Sequence, residues 1–277
     1  MQPVTDPLAN RLSLTPIAQT TLPNRWRTEA MRSYASPRLL FIGKGQGRIT
    51  VSGLTSGYGP NNLIFLPART MFGFEVGPSV FGQMLAIPVA MANEWPDDPV
   101  HLRLRDVVAQ KELATLFDQL ERELASTKAG HSRAAHYHLG ILSVYFERQL
   151  DGRAADPADL RSRTAAARLV AAYADLIERD FHRHQGVAGY AGALGVTPTH
   201  LTRCCRITCG RSAHALLNDR ILFEARQLLR DTRTPVNQIA QNLGFASAAY
   251  FSRSFQHATG MTPSAFRRGG APESPAR

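Results

Sequence analysis

Arg203 and Arg253 stand fifty residues apart in similar company, Leu201-Thr202-Arg203 in one place and Phe251-Ser252-Arg253 in the other. A guanidinium can donate two hydrogen bonds to O6 and N7 of a guanine, so arginines on exposed helix faces are candidate base readers. A second set of residues could do different chemistry. His200 and Cys204, and likewise Cys205 and Cys209, are four apart. On a helix each pair shares a face, where it could hold a soft metal or respond to oxidation. Buried cysteines more often behave as small apolar residues, and that is the expectation here. His136 and His138 flank Tyr137, and their side chains diverge on a helix, so they read as ordinary surface residues. No metal and no cofactor is expected.

Other chemistries find no support. There is no Walker loop, no Gly-x-Ser-x-Gly elbow and no Ser/His/Asp order. Gly43-Lys44-Gly45-Gln46-Gly47 leads into a strand pattern and reads as a turn. A metal-dependent barrel enzyme needs clustered histidines on strands, yet all nine histidines lie at or after His101. The strand-rich region is therefore expected to have none, and the chain is not expected to be an enzyme.

The positive charge is concentrated. Residues 186–268 hold ten arginines against Asp219, Glu224 and Asp231, a net +7 of the chain's +10. Such an excess suits a polyanion, although a solvated basic face would look the same. At 277 residues the chain is long enough for two domains. No apolar run approaches the ~18 residues of a membrane span, and the first ten residues lack the pattern of a secretory signal. A cytoplasmic protein without membrane partners is expected.

The elements that would position the arginines repeat. Val187, Ala191, Leu194 and Gly195 recur as Val236, Ala240, Leu243 and Gly244, and Gly210 recurs as Gly260. Each unit has the makings of a helix-turn-helix. A small residue lets two helices approach, a leucine packs between them, and a glycine ends the first helix. A second helix then starts at a capping Thr197 or Ser247. Leu201 and Cys205, or Phe251 and Phe255, point inward, and Arg203 or Arg253 lies on another face. Between the units, Ser212–Leu229 reads as one helix of about 27 Å, able to set two such helices in successive major grooves.

Val236–Arg268 resembles the signature of AraC/XylS-type transcriptional regulators, and Gly186–Thr232 is similar to the first half of the same domain. The resemblance implies a seven-helix DNA-binding domain with recognition helices over about Thr197–Thr208 and Ser247–Ala258. Residues carried over as facing the groove are Thr199, His200, Thr202, Arg203 and Arg206, then Ala248, Ala249, Tyr250 and Arg253. The motif core comprises Ala191, Leu194, Gly195, Ala240, Leu243, Gly244, Phe245, Phe251, Phe255, Gly260 and Pro263. Ala248 and Ala249 depart from the polar residues of many relatives. Cys205 stands where the family usually has Phe, which should loosen the first unit unless neighbours fill the gap. Implied partners are double-stranded DNA, RNA polymerase, an unknown small-molecule effector and a second copy in a homodimer.

The whole chain reads as α+β with two domains. Residues 1–37 form an arm without period. Residues 38–150 show closely spaced strands between turn signals, a small antiparallel barrel or sandwich, followed by a helical hairpin over 106–150. By its place in the order this part is similar to the family's cupin-like domain. Residues 151–163 form a linker, 164–268 the double helix-turn-helix domain and 269–277 a disordered tail. Phe41, Phe65, Phe72 and Phe74 with Arg38 are either an effector pocket or plain core. The stripe Leu113, Leu116, Phe117, Leu120 and Leu124 is either a cover for the barrel or a dimer seam. Two alternatives to an effector-responsive regulator stand: a constitutive regulator with a purely dimerising first half, and a ligand-binding or catalytic barrel with a DNA module.

Overall fold

The computed structural model describes residues 11–17, 26–77, 79–152, 164–183 and 185–269. Most of the expected linker and tail lies outside the described residues. Eight strands come first: β1 (Ser13–Pro16), β2 (Arg38–Lys44), β3 (Gly47–Val51), β4 (Leu54–Tyr58), β5 (Asn62–Leu66), β6 (Phe72–Glu75), β7 (Phe81–Ala86) and β8 (Val100–Arg103). They form two antiparallel sheets, ordered β1-β7-β2-β5-β8 and β4-β3-β6. Leu39 pairs with Phe65 and Leu85, while Leu40 pairs with Ile64 and Met84. Successive side chains point to opposite faces, so each strand feeds two cores. Leu39, Leu63, Phe65 and Leu85 pack against helices, whereas Leu40, Ile42, Ile64 and Leu66 pack with Ile49, Phe72 and Phe74 of the smaller sheet. Burial on both faces is why β5 is apolar from Leu63 to Leu66.

The helices on the outer face are α2 (Val107–Ala125) and α3 (His131–Asp151). Asp106 caps α2 by accepting from the Ala109 amide at 2.8 Å. Leu113, Leu116, Phe117 and Leu120 are buried in the core with the sheet, and Leu124 packs at its margin. This corrects the dimer-seam reading of that stripe. The hairpin covers the sheet with it, and its charged side, Glu112, Asp118, Glu121 and Arg122, is exposed.

The chain before residue 37 is not only an arm. β1 pairs with β7, and a short helix α1 (Trp26–Glu29) precedes a bridge between Arg32 and Phe72. Four residues ending in proline are too short to show a period. β8 also places His101 on a strand, contrary to expectation, where its Nε2 lies 2.7 Å from Asn62 Oδ1. One histidine paired with an amide is no metal centre, and no group of three or more His, Cys, Asp or Glu among the described residues could hold an ion.

The remainder is helical: α4 (Ala165–Asp180), α5 (Gly186–Ala193), α6 (Pro198–Cys209), α7 (Ala213–Asp231), α8 (Val236–Asn242), α9 (Ala248–Thr259) and α10 (Pro263–Arg267). They build two cores that share α7. Tyr173, Ile177, Tyr190, Leu201, Cys205 and Leu217 belong to one, and Leu222, Leu229, Ile239, Leu243, Phe251, Phe255 and Phe266 to the other.

The two halves of the chain are packed together, which local periodicity could not reveal. Met31 and Met71, from the strand half, are buried in the first helical core. Gly53, at φ +74°, lies in the β3–β4 turn, and a Cβ there would stand 2.3 Å from Val170 Cγ1 of α4. Ser33 Oγ donates to Glu178 Oε2 at 2.6 Å. The Trp26 ring packs 5.7 Å from Phe223 and 5.9 Å from Phe266, against the second core. No helix among the described residues is long and apolar enough to cross a membrane.

Candidate nucleic-acid interface

Helices α6 and α9 are built alike. Thr197 Oγ1 accepts from the His200 amide at 3.2 Å, and Ser247 Oγ from the Tyr250 amide at 3.1 Å. These caps fix where each helix begins. Gly210 and Gly260, at φ +71° and +72°, end both helices in the left-handed conformation. Leu201 and Cys205 face inward from α6 as Phe251 and Phe255 do from α9, all four fully buried. Ala191 and Ala240 are buried where α5 and α8 approach their partners, and Leu243 is buried beside Ala240. Leu194 and Phe245 are half-buried against the cores, while Pro263 begins the closing α10.

The opposite faces are open. On α6, Thr199, Arg203 and Arg206 are exposed, and His200 and Thr202 are half-buried. Arg203 Nη2 lies 3.2 Å from His200 Nδ1, so the imidazole steadies the guanidinium from one turn earlier. On α9, Ala249, Tyr250 and Arg253 are exposed. Ala248, the first residue of α9, is half-buried and packs against the second core. Gln256 and His257, one turn beyond Arg253, are exposed and were missed by sequence reading. Their spacing of three and four from Arg253 is the signal that could have found them.

The cysteines do come together as their spacing suggests. Cys204 Sγ lies 3.7 Å from His200 Nε2, and Cys209 Sγ donates to the Cys205 carbonyl at 3.1 Å. All three are buried and free. Burial pushes the Cys205 thiol up to about 12, with the neighbouring cysteines adding to it. Burial also raises Cys209. A thiol held protonated is a poor nucleophile and a poor ligand, which suits Cys205 and Cys209 to packing.

The residues proposed to form an effector pocket do not share one space. Phe41 and Phe65 face the helical hairpin, whereas Phe72 and Phe74 lie between the sheets. The alternation of strand side chains divides them. Arg38 is buried, with its guanidinium 4.2 Å from the Tyr34 ring, and Arg32 lies 4.5 Å from the Phe72 ring. Two arginines and three aromatic rings thus make one cluster on the inner side, without Phe41 and Phe65.

A helix-turn-helix domain family model matches residues 190–269, the span of both units. The arabinose operon regulatory protein of Salmonella typhimurium is 35% identical over 86 residues, and that of Escherichia coli 35% identical over 83. The chain carries a helix-turn-helix domain similar to part of these arabinose operon regulators. These alignments cover 31% and 30% of this chain, and 31% and 28% of the two relatives, so the chain spans about three-tenths of their length. ToxT from Vibrio cholerae aligns over 92% of this chain and 94% of its own at 16% identity, with a TM-score of 0.43. The C-terminal domain of AraT from Geobacillus stearothermophilus aligns over 41% of this chain and 95% of its own at 26% identity, with a TM-score of 0.36. The matched residues contain both candidate recognition helices, α6 and α9, and the α7 connector between them.

Proposed function

We propose that the chain is a sequence-specific DNA-binding transcription regulator whose helices α6 and α9 read two successive major grooves on one face of a duplex. The observation that carries this is the duplicated unit with an exposed arginine at the same place in each, Arg203 and Arg253. The 19-residue α7 between them is about 28 Å long. That is close to the ~34 Å repeat of the major groove. Selection of sites from a random duplex pool at one fixed salt concentration tests the reading. Two short blocks about one helical turn apart are expected. Arg203→Ala should then lose about 1–3 kcal/mol on the selected site and relax one base preference. An equal loss on random duplex would reduce Arg203 to a phosphate contact.

An effector-responsive first half is favoured over a passive scaffold by the shared core. Any ligand that moves Met31, Met71 or the β3–β4 turn moves the packing under α6 as well.

A second copy of the chain fits the outer face of α3. Tyr137, Ile141 and Val144 are exposed there, around a groove that also includes Gly140, Glu112 and Arg148. Space above Gly140 is open, enough to receive a side chain. In a twofold pair each Glu112 can meet the other copy's Arg148, the reciprocity that an isologous contact needs. Ile141→Asp should convert a dimer to a monomer in sedimentation experiments, and a wild-type protein monomeric at micromolar concentration would refute this arrangement.

A further inference from the structure

Ile207 has no part in the packing, and its position calls for an explanation. It is 70% exposed. Among the described residues of the helical half, only Ile207 and Tyr250 are exposed large apolar side chains, and they lie on α6 and α9, the two candidate recognition helices. Isolated apolar residues on a surface are ordinary. This one lies four residues after Arg203 and eight after Thr199, on the stripe opposite the buried Leu201, Cys205 and Cys209. The unit's architecture does not require an apolar group there, because the matching position in the second unit is the exposed His257.

We infer that Ile207 is a specificity residue of the first unit, seated against the C5-methyl of a thymine beside the base that Arg203 reads. This rests on the DNA-reading function proposed above and deepens it. The thymine methyl is the one apolar group that a base pair offers in the major groove, and an aliphatic side chain is its natural counterpart. Thr199 to Ile207 spans about 12 Å along the helix axis. For Ile207 to touch a base, α6 lies along the groove through about two turns instead of entering by its tip. Those 12 Å correspond to about four base pairs at ~3.4 Å each, so the first unit reads a longer block than α9, whose exposed apolar residue sits in its first turn.

The test uses the full chain and the duplex recovered by selection, with thymines of the first block replaced one at a time by deoxyuridine, which removes only the methyl. Wild type is expected to lose about fourfold in affinity at one position, the worth of one buried methyl. Ile207→Ala is expected to bind the thymine duplex about as weakly and to show no further loss with deoxyuridine there. Ile207→Val, which keeps branched methyl groups, should restore the sensitivity. The side chain is exposed, so unchanged thermal melting of both variants serves as the folding control. If every deoxyuridine substitution costs wild type and Ile207→Ala the same, Ile207 is not the reader, although sequence-specific binding stands. If wild type selects no sequence at all, the DNA-reading function itself falls, and this inference with it.

Discussion

Replacing Arg220 with alanine is expected to cost about 3–5 kcal/mol of folding stability, the range for breaking a buried ion pair by removing one partner. Arg220 sits in the middle of α7 and is 6% exposed. Its Nε donates to Glu178 Oε1 at 2.9 Å and Oε2 at 3.0 Å, and its Nη1 to Glu224 Oε2 at 2.9 Å. The guanidinium also lies 4.1 Å from the Phe181 ring. Burial opposes the charge, but Glu178 and Glu224 outweigh it and raise the Arg220 pKa. Without Arg220, the Glu178 carboxylate is left buried, its charge answered only by the hydrogen bond from the neutral Ser33 hydroxyl. Urea unfolding measures the loss. Arg220→Met combined with Glu178→Leu should recover most of it, because a buried pair replaced by apolar groups of similar volume is often neutral or better. A loss under about 1 kcal/mol for Arg220→Ala would mean that water reaches the carboxylate and the site is not dry.

Phe255→Ala should cost about 3–5 kcal/mol and fall mainly on the second unit. Phe255 is fully buried, with its ring 5.8 Å from Phe251 and 5.4 Å from Phe266. Those rings and Leu243 form the centre of a core separate from that of the first unit. Amides of α8, α9 and α10 are expected to exchange with solvent well before those of α4 and α6 in hydrogen-exchange experiments. Uniformly faster exchange through all seven helices would show that the cores unfold as one.

Much of the helical half was legible in the sequence because its signals are local. The offset of about fifty residues, the glycines at helix ends and the capping Thr197 and Ser247 each act within a few residues of themselves. The Leu113 stripe was legible as apolar but not as to partner, since a cover and a seam need the same pattern. What faces out is α3, where Tyr137, Ile141 and Val144 alternate with buried Leu139 and Leu142. The effector set failed for a geometric reason, because Phe41 and Phe65 point away from Arg38 in paired strands. The packing of Trp26, Met31 and Gly53 against helices more than a hundred residues later leaves no periodic trace.

Cys205 and Phe255 occupy equivalent positions, and both are fully buried. Where the second unit fills that level of its core with phenylalanine rings, the first has a small thiol and shares its core with Met31 and Met71 from the other half of the chain. The helix-turn-helix half is therefore not an interchangeable module. Grafting residues 164–269 onto a foreign domain would strip two methionine side chains from the first helical core and leave a cavity there. The two halves are held to vary together, so a change that enlarges Gly53 must be matched across the seam at Val170 or its neighbours.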